Sequence, residues 1–210
     1  MAKFPHPPGV EALRAIAPAT ITVPAGAALA RIYFAEGEHP ARWRGFRHFG
    51  PTAARWDHHL LRQGRAVEQD RGILYCAPDV DTCVAEVFQA TRRIDRTRSA
   101  PWLVVFALRE NVQLLDLRGS FSTAIGASTV ISSGPRSRSR AWARELYEAY
   151  PDLYGLQYGS SMNGHAPALA LSERAQGAIP EQPLFHRALN DDMLVEILQH
   201  IAARLSYGLR

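Results

Sequence analysis

The chain has 210 residues, of which 47% are hydrophobic and 21% charged, and its formal net charge is +4. These fractions are typical of globular domains and argue against a disordered, fibrous or membrane protein. No apolar run approaches the ~20 residues that span a bilayer, and three prolines before Gly9 interrupt the apolar core that a secretory signal needs. We therefore expect a cytoplasmic protein with no membrane contact.

The first 26 residues are rich in proline, alanine and glycine, and VEALRAIA is their one helical stretch. We predict a poorly packed N-terminal arm over residues 1–26 and a folded body over residues 27–210. Within this body, β-branched and aromatic content predicts strands at ALARIYFA and GILYCA. The loop GPTAARWDHH carries Arg55 and the pair His58-His59. We interpret the two as solvated loop histidines, because no third metal ligand accompanies them.

The middle of the chain alternates helical and strand patterns. DVDTCVAEVFQATRR has helical spacing with a capping aspartate, and Glu86 lies just off its apolar face. WLVVFALRE and VQLLDL are two strand candidates separated only by Glu110 and Asn111, which predicts a hairpin. The basic patch SSGPRSRSR at residues 132–140 indicates a flexible surface loop, with a phosphate or nucleic-acid contact as the alternative.

The last third of the chain continues this mixture. SRSRAWARELYEAY carries a helical apolar stripe, and GLQYGSS and HAPALALSE are two short strands joined by a Gly/Asn turn. NDDMLVEILQHIAARLSYGL closes the chain as an amphipathic helix capped by Asn190 or Asp191. Strands and helices are interspersed, yet most strand connections are too short for regular right-handed crossovers. The pattern predicts a single α+β domain.

Common catalytic and metal signatures are absent from the sequence, which has no GxGxxG after a strand, no GxxxxGK[ST], no HExxH and no GxSxG. Cys76 and Cys83 stand seven positions apart without further Cys or His ligands, so they indicate reduced thiols and not a zinc site or disulfide framework. Ser160 and His165 lack the supporting acid of a serine hydrolase. These absences remove several enzyme classes.

Three polar residues lie in apolar surroundings, namely Arg31 in AALARIYFA, Glu86 in CVAEVFQA and Ser160 after GLQY. Burying such a group without a partner costs on the order of several kcal/mol. We therefore expect the three to share a site. A structural ion pair between Arg31 and Glu86 inside the sheet-helix layer is the alternative.

The order of the segments carries more information than any one motif. An Arg-x-Tyr strand, an FG-P…ARWD loop, the ILYCA strand, a helix with A-E-V-F, an LLDL strand, an RxWA…L helix and GLQYGSS before an ALAL strand occur in register. This arrangement, over about residues 27–175, resembles the RES-domain family of bacterial toxin-like proteins. The resemblance implies an ADP-ribosyltransferase-like split mixed sheet with flanking helices. It also implies cleavage of the nicotinamide–ribose bond of NAD, as a glycohydrolase, a phosphorylase or an ADP-ribosyltransferase.

The same resemblance implies partners and site residues. NAD is the expected substrate, no prosthetic group or metal is expected, and a cognate antitoxin protein is the expected partner. The implied catalytic residues are Glu86, Arg31 and Ser160. The implied NAD-binding residues are Arg31, Tyr33, Arg55, Tyr75, Glu86 and Ser160. A carboxylate can stabilise the positive charge that develops on the ribose, and guanidinium groups can bind the pyrophosphate of NAD with two parallel hydrogen bonds.

Several alternatives stay open. Many family members carry Ser-Arg where this chain has Ser160-Ser161-Met162, which removes one phosphate contact and leaves either serine as the motif residue. That departure motivates a non-catalytic NAD-binding regulatory domain of the same fold as the alternative function. Nucleic acid is not an expected partner, despite the basic patch, and the sequence leaves homo-oligomer formation open.

Overall fold

A computed structural model describes residues 4–210. Its helices are α1 Val10–Arg14, α2 Val80–Val87, α3 Phe121–Ala124, α4 Arg136–Ala149 and α5 Val195–Leu205. Its strands are β1 Thr20–Val23, β2 Ala28–Phe34, β3 Arg47–Gly50, β4 Val67–Cys76, β5 Arg93–Ile94, β6 Pro101–Ala107, β7 Val112–Asp116, β8 Gly155–Gly159, β9 Pro167–Ser172, β10 Phe185–Ala188 and β11 Gly208–Leu209. Short 3₁₀ turns cover Thr129–Ser132, Glu173–Ala178 and Asp192–Leu194.

The strands form two main sheets. The larger has the order β1-β7-β8-β9-β4-β3, and the smaller has the order β10-β6-β2. The pair β7 and β8 is parallel whereas the other pairs in these two sheets are antiparallel. An isolated bridge between Ala30 and Ala77 joins the sheets where β2 and β4 approach each other. The predicted single α+β domain with a split mixed sheet and flanking helices is confirmed.

The predicted hairpin between WLVVFALRE and VQLLDL is wrong. β6 pairs with β2 and β10, whereas β7 pairs with β1 and β8 in the other sheet. Between them the chain is held by partners distant in sequence, since the Leu108 N–H donates to Ala27 and the Arg109 N–H to Ala178. Both strands are largely buried. Pairing with other strands therefore outweighs the short connection.

Residues 4–26 pack onto the body, unlike the poorly packed arm that composition predicts. Leu13 of α1 is fully buried, and its carbonyl accepts a 2.8 Å hydrogen bond from the Tyr150 hydroxyl. β1 adds an edge strand to β7. The buried side chains of Phe4 and Leu13 and the pairing of β1 thus anchor a segment whose other residues are exposed or partly exposed. Residues 1–3 of the predicted arm lie outside the described residues.

The basic patch at residues 132–140 is also ordered differently from the predicted flexible loop. A 3₁₀ turn ends at Ser132, and α4 begins at Arg136 directly after Pro135. The buried Ser139 hydroxyl donates to the Ile131 carbonyl at 2.8 Å. Arginine is a good helix former and proline suits a helix start, so local chemistry favours the helix that the structure shows.

Three apolar clusters hold these layers together. One lies between α4 and the larger sheet around Trp56 and Trp142, and another fills the space between the two sheets around Phe106. The remaining cluster packs α2 and α5 against the smaller sheet. α2 therefore lies at the junction of the two sheets. In the described part of the chain, no helix has the length and apolar character needed to cross a membrane.

Candidate active site

Helix α2 positions Glu86 at the junction of the sheets. As the sequence predicts, Asp79 caps the helix, since its Oδ1 accepts the Thr82 N–H at 2.7 Å. The buried Cys83 thiol donates to the Ala30 carbonyl of β2 at 3.0 Å. These contacts hold the inner side of α2 against β2. Glu86 lies on the remaining, partly exposed side of the helix.

A tight turn after β8 brings Ser160 to Glu86. The Ser160 hydroxyl donates to Glu86 Oε1 at 2.5 Å, and its oxygen accepts the N–H groups of Met162 and Asn163 at 3.2 and 3.1 Å. The Asn163 amide also donates to the Thr82 hydroxyl at 2.9 Å, which ties the turn to α2. The proton of Ser160 is thus committed to a carboxylate, and the hydroxyl orients Glu86.

The turn distinguishes the two adjacent serines. Ser160 is buried, whereas Ser161 is exposed. A side chain at Gly159 would place its Cβ 2.1 Å from the His165 ring, so only glycine fits where the strand meets the turn. The Ser160 hydroxyl points to Glu86 and not to a histidine base, which is unlike the arrangement of a serine hydrolase.

Aromatic residues wall a cleft of about 50 Å³ beside Glu86. Its lining includes Ile32, Tyr75, Cys83, Glu86, Val87 and Tyr158. Burial raises the pKa of the Tyr75 and Tyr158 hydroxyls, so both stay neutral at physiological pH. A larger cavity of about 640 Å³ lies on the other side of Val87, which lines both spaces. The cleft thus combines one carboxylate with neutral ring surfaces.

Arg55 lies near this cleft, where its backbone loop meets the start of α4. Its Nη1 donates to the Gly134 carbonyl at 2.5 Å and to the Ser139 hydroxyl at 3.2 Å. Burial and then the neighbouring charge of Arg136 lower the pKa of Arg55, while the charge of Glu86 raises it. Within residues 4–210, no carboxylate forms an ion pair with Arg55.

Arg31 and Tyr33 lie on the other face of β2. Side chains alternate along a strand, and Ile32 is the β2 residue that lines the cleft. Arg31 is buried, which lowers its pKa to about 10, and its Nη1 donates to the carbonyls of Trp43 and Gly45 at 2.9 and 3.1 Å. The alternative ion pair between Arg31 and Glu86 is not formed, because the Arg31 guanidinium donates to these carbonyls.

Tyr33 is buried, and its hydroxyl shares a 2.7 Å hydrogen bond with His186 Nε2. The structure therefore gathers Tyr75, Glu86 and Ser160, with Arg55 nearby. It places Arg31 and Tyr33 behind the strand that forms one wall of the cleft.

The prediction of solvated histidines at His58 and His59 is wrong, because both are buried. His59 Nδ1 lies 2.7 Å from Asp57 Oδ1, and its Nε2 lies 2.9 Å from the Arg71 carbonyl. The His58 ring stacks on Tyr147 with centroids 4.3 Å apart. Hydrogen bonds hold His59 and ring stacking holds His58, and among residues 4–210 no group of His, Cys, Asp and Glu side chains could hold a metal ion.

Sequence reasoning missed Tyr158, which lines the cleft, and Gln89, which contacts Glu86. Tyr158 precedes Ser160 by two positions, so strand alternation places it on the same face of β8. Gln89 follows Glu86 by three positions on α2, and its amide donates to the Glu86 carbonyl at 2.6 Å. The spacing of Tyr158 from Ser160 and of Gln89 from Glu86 could have identified both residues from the sequence.

Comparison with known proteins agrees with this architecture. The chain superposes on a chain in the crystal structure of the M. tuberculosis MbcT-MbcA toxin-antitoxin complex with a TM-score of 0.58 and 17% identity. The match covers 92% of this chain and 96% of that chain, which shows a shared fold. No curated protein matches the sequence significantly. The family model of the RES domain matches residues 29–192. The chain therefore belongs to the RES domain family.

Proposed function

We propose that this chain is an RES-type toxin that consumes NAD by cleaving its nicotinamide–ribose bond. The contact between Glu86 and Ser160 carries the proposal. A carboxylate oriented by a buried hydroxyl, beside two aromatic rings, suits a reaction that develops positive charge on a sugar. Membership of the RES domain family supports the same activity.

The chemistry follows from the charges. The bond between ribose C1′ and the nicotinamide nitrogen breaks with its electron pair leaving on nitrogen, which neutralises the pyridinium. Positive charge then develops at C1′, where the Glu86 carboxylate stabilises it or holds the ribose hydroxyls. An acceptor oxygen from water, phosphate or a protein side chain forms the new bond to C1′ and gives up its proton.

The other residues position the substrate. Tyr75 and Tyr158 offer ring faces to the nicotinamide. Arg55 supplies a positive charge for phosphate. Arg31 is assigned a supporting part, since its guanidinium holds the carbonyls of Trp43 and Gly45. Its charge has no carboxylate partner within residues 4–210, so a phosphate contact remains part of the proposal.

A protein antitoxin is the proposed partner. The structural neighbour comes from the crystal structure of a toxin-antitoxin complex, and the superposition covers nearly the whole length of both compared chains. We expect an antitoxin to bind this chain, and we expect the pair to act in the cytoplasm, where NAD is available.

Incubation of the purified protein with NAD, with and without phosphate, tests the activity. We expect free nicotinamide together with ADP-ribose or its phosphorylated form, which chromatography resolves. Absence of nicotinamide in both conditions overturns the proposal. If calorimetry then shows that NAD binds without turnover, the chain is a regulatory binding domain of the same fold.

A further inference from the structure

The start of α4 brings a second arginine to the candidate site. The Arg136 guanidinium donates from Nη2 to Gln89 Oε1 at 2.7 Å, across 47 positions of the chain. The same amide group of Gln89 donates to the Glu86 carbonyl, and it lies 3.4 Å from Glu86 Oε2. A continuous set of polar contacts therefore runs from Arg136 through Gln89 to Glu86.

Arg55 arrives at the same place from a different loop. It donates to the Gly134 carbonyl, two positions before Arg136, and to Ser139 in the first turns of α4. Arg55 therefore contacts the residues on either side of Arg136, and the charge of Arg136 lowers the pKa of Arg55. No carboxylate in the described part of the chain pairs with either of them. Two adjacent positive charges that repel each other are stabilised when an anion binds between them.

We infer that Arg136 and Arg55 form a phosphate-binding subsite beside Glu86, with Gln89 holding Arg136 in place. The inference rests on the proposed function for its substrate and adds Arg136, which lies in the basic patch at residues 132–140 but is not among the site residues that the resemblance implies. Arg136 is a binding residue in this inference, because it contacts the phosphate, and Gln89 is the positioning residue, because it acts through Arg136.

The two arginines differ in solvent exposure and in how firmly they are held. Arg136 is exposed, whereas Arg55 is partly buried and held by two hydrogen bonds. An exposed arginine alone binds an anion weakly, because ordering its long side chain costs conformational entropy. The contact with Gln89 reduces that cost, and guanidinium groups can grip phosphate oxygens with two parallel hydrogen bonds.

Phosphate at this position has two sources in the proposed reaction, the pyrophosphate of NAD and free orthophosphate as acceptor. Calorimetry of the full chain with ADP-ribose, adenosine and inorganic phosphate distinguishes them without requiring turnover. The variants are Arg136→Ala and Arg136→Lys. Arg144→Ala is the matched control, because Arg144 lies two turns further along α4 and has no side-chain hydrogen bond or ion pair within residues 4–210.

We expect Arg136→Ala to weaken ADP-ribose about 10-fold, a loss typical of one charge-assisted contact, while adenosine binds as before. Arg136→Lys should recover only part of this affinity, because an ammonium cannot grip two oxygens in parallel. A weakened affinity for inorganic phosphate alone would identify the acceptor as the occupant. Equal affinities of Arg136→Ala and Arg144→Ala for both phosphate ligands would overturn the subsite.

The readout separates this inference from the proposed activity. Wild-type protein that releases nicotinamide, together with an Arg136→Ala variant that binds ADP-ribose normally, refutes the subsite alone. Wild-type protein that does not cleave NAD, together with the selective loss of ADP-ribose affinity in Arg136→Ala, refutes the activity and leaves the subsite standing.

Discussion

The carboxylates of Asp57 and Glu86 lie in very different surroundings. Asp57 has no solvent exposure, and its oxygens accept five hydrogen bonds, from Arg47, Thr52 and His59. Glu86 is partly exposed, and its carboxylate contacts the Ser160 hydroxyl and, more distantly, Gln89. Asp57 pairs with a cation, whereas no cation within residues 4–210 forms an ion pair with Glu86.

Of these two carboxylates, only Glu86 has a charge that no ion pair within residues 4–210 compensates. Although burial alone would raise the pKa of Asp57, the hydrogen bond with His59, the charge of Arg47 and the bonds from Thr52 hold it well below its usual range. That charge is already compensated, so it stabilises the loop that carries Arg55 and Trp56. The charge of Glu86 is oriented but not neutralised, which is the state that a developing cation requires.

The largest expected effect is on the activity of Glu86→Gln. We expect nicotinamide release to fall by about 1,000-fold or more, because the amide is isosteric and lacks the negative charge. The melting temperature should stay close to that of wild type, since glutamine still accepts the Ser160 hydrogen bond. Product chromatography and thermal denaturation measure the two quantities, with the exposed Glu181→Gln as control. A large loss of stability would make Glu86 a structural group like Asp57.

Asp57→Asn should show the opposite pattern. Removing the buried charge leaves Arg47 without its partner, and breaking a buried pair costs about 3–5 kcal/mol. In a chain of this size that corresponds to a melting temperature lower by roughly 10 °C. Asp70→Asn is the control, because Asp70 is exposed on the neighbouring strand β4. Equal melting temperatures for the two variants would contradict the contrast between the carboxylates.

Ser160→Ala tests how Glu86 is held in place. Without the hydroxyl, the carboxylate keeps its charge but loses its 2.5 Å contact, so its position becomes less defined. We expect nicotinamide release to fall by up to about 100-fold, the effect of a displacement near 1 Å. Ser161→Ala should leave the rate unchanged because Ser161 is exposed. If both variants behave alike, Ser160 does not orient Glu86.

Local sequence patterns predicted the helices and strands around Glu86 better than they predicted the tertiary contacts of Glu86 and Asp57. The Asp79 cap, the paired strands β8 and β9 and the Asp191 cap, which begins the 3₁₀ turn directly before α5, follow from residue chemistry within a few positions. Such signals are short in range, so they survive in the sequence alone. The general architecture followed from the order of these elements, with the support of the family resemblance.

The features that failed depend on partners distant in the chain. Glu86 and Ser160 meet across 74 positions; their apolar surroundings and the resemblance predicted a shared site, but no local pattern predicted the hydrogen bond between them. Arg31 has the same apolar surroundings as Glu86, but strand alternation turns it to carbonyls on the other face of β2. His58 and His59 were predicted to be solvated loop residues. Their burial depends on contacts with Tyr147 and Asp57, which a local pattern does not show.

The smallest expected effect concerns Glu173, a carboxylate intermediate between Asp57 and Glu86. Burial alone would raise its pKa, but contacts with His58, the Tyr147 hydroxyl at 2.6 Å and the Gly72 N–H at 2.7 Å lower it from 4.5 to about 2. Because the folded pKa lies below the unfolded one, the charged form stabilises the fold above pH 4.5, and this contribution is lost as the pH falls towards 2.

Glu173→Gln should therefore be less stable than wild type by about 2–3 kcal/mol at neutral pH, and the two proteins should converge as the pH falls through that window. Urea unfolding at several pH values measures the difference. Glu181→Gln, at an exposed position without a partner in the described chain, should follow the wild-type curve. A difference between Glu173→Gln and wild type that does not change with pH would mean that the side chain contributes by packing. In that case Glu173 would differ from Asp57, whose charge is what stabilises its loop.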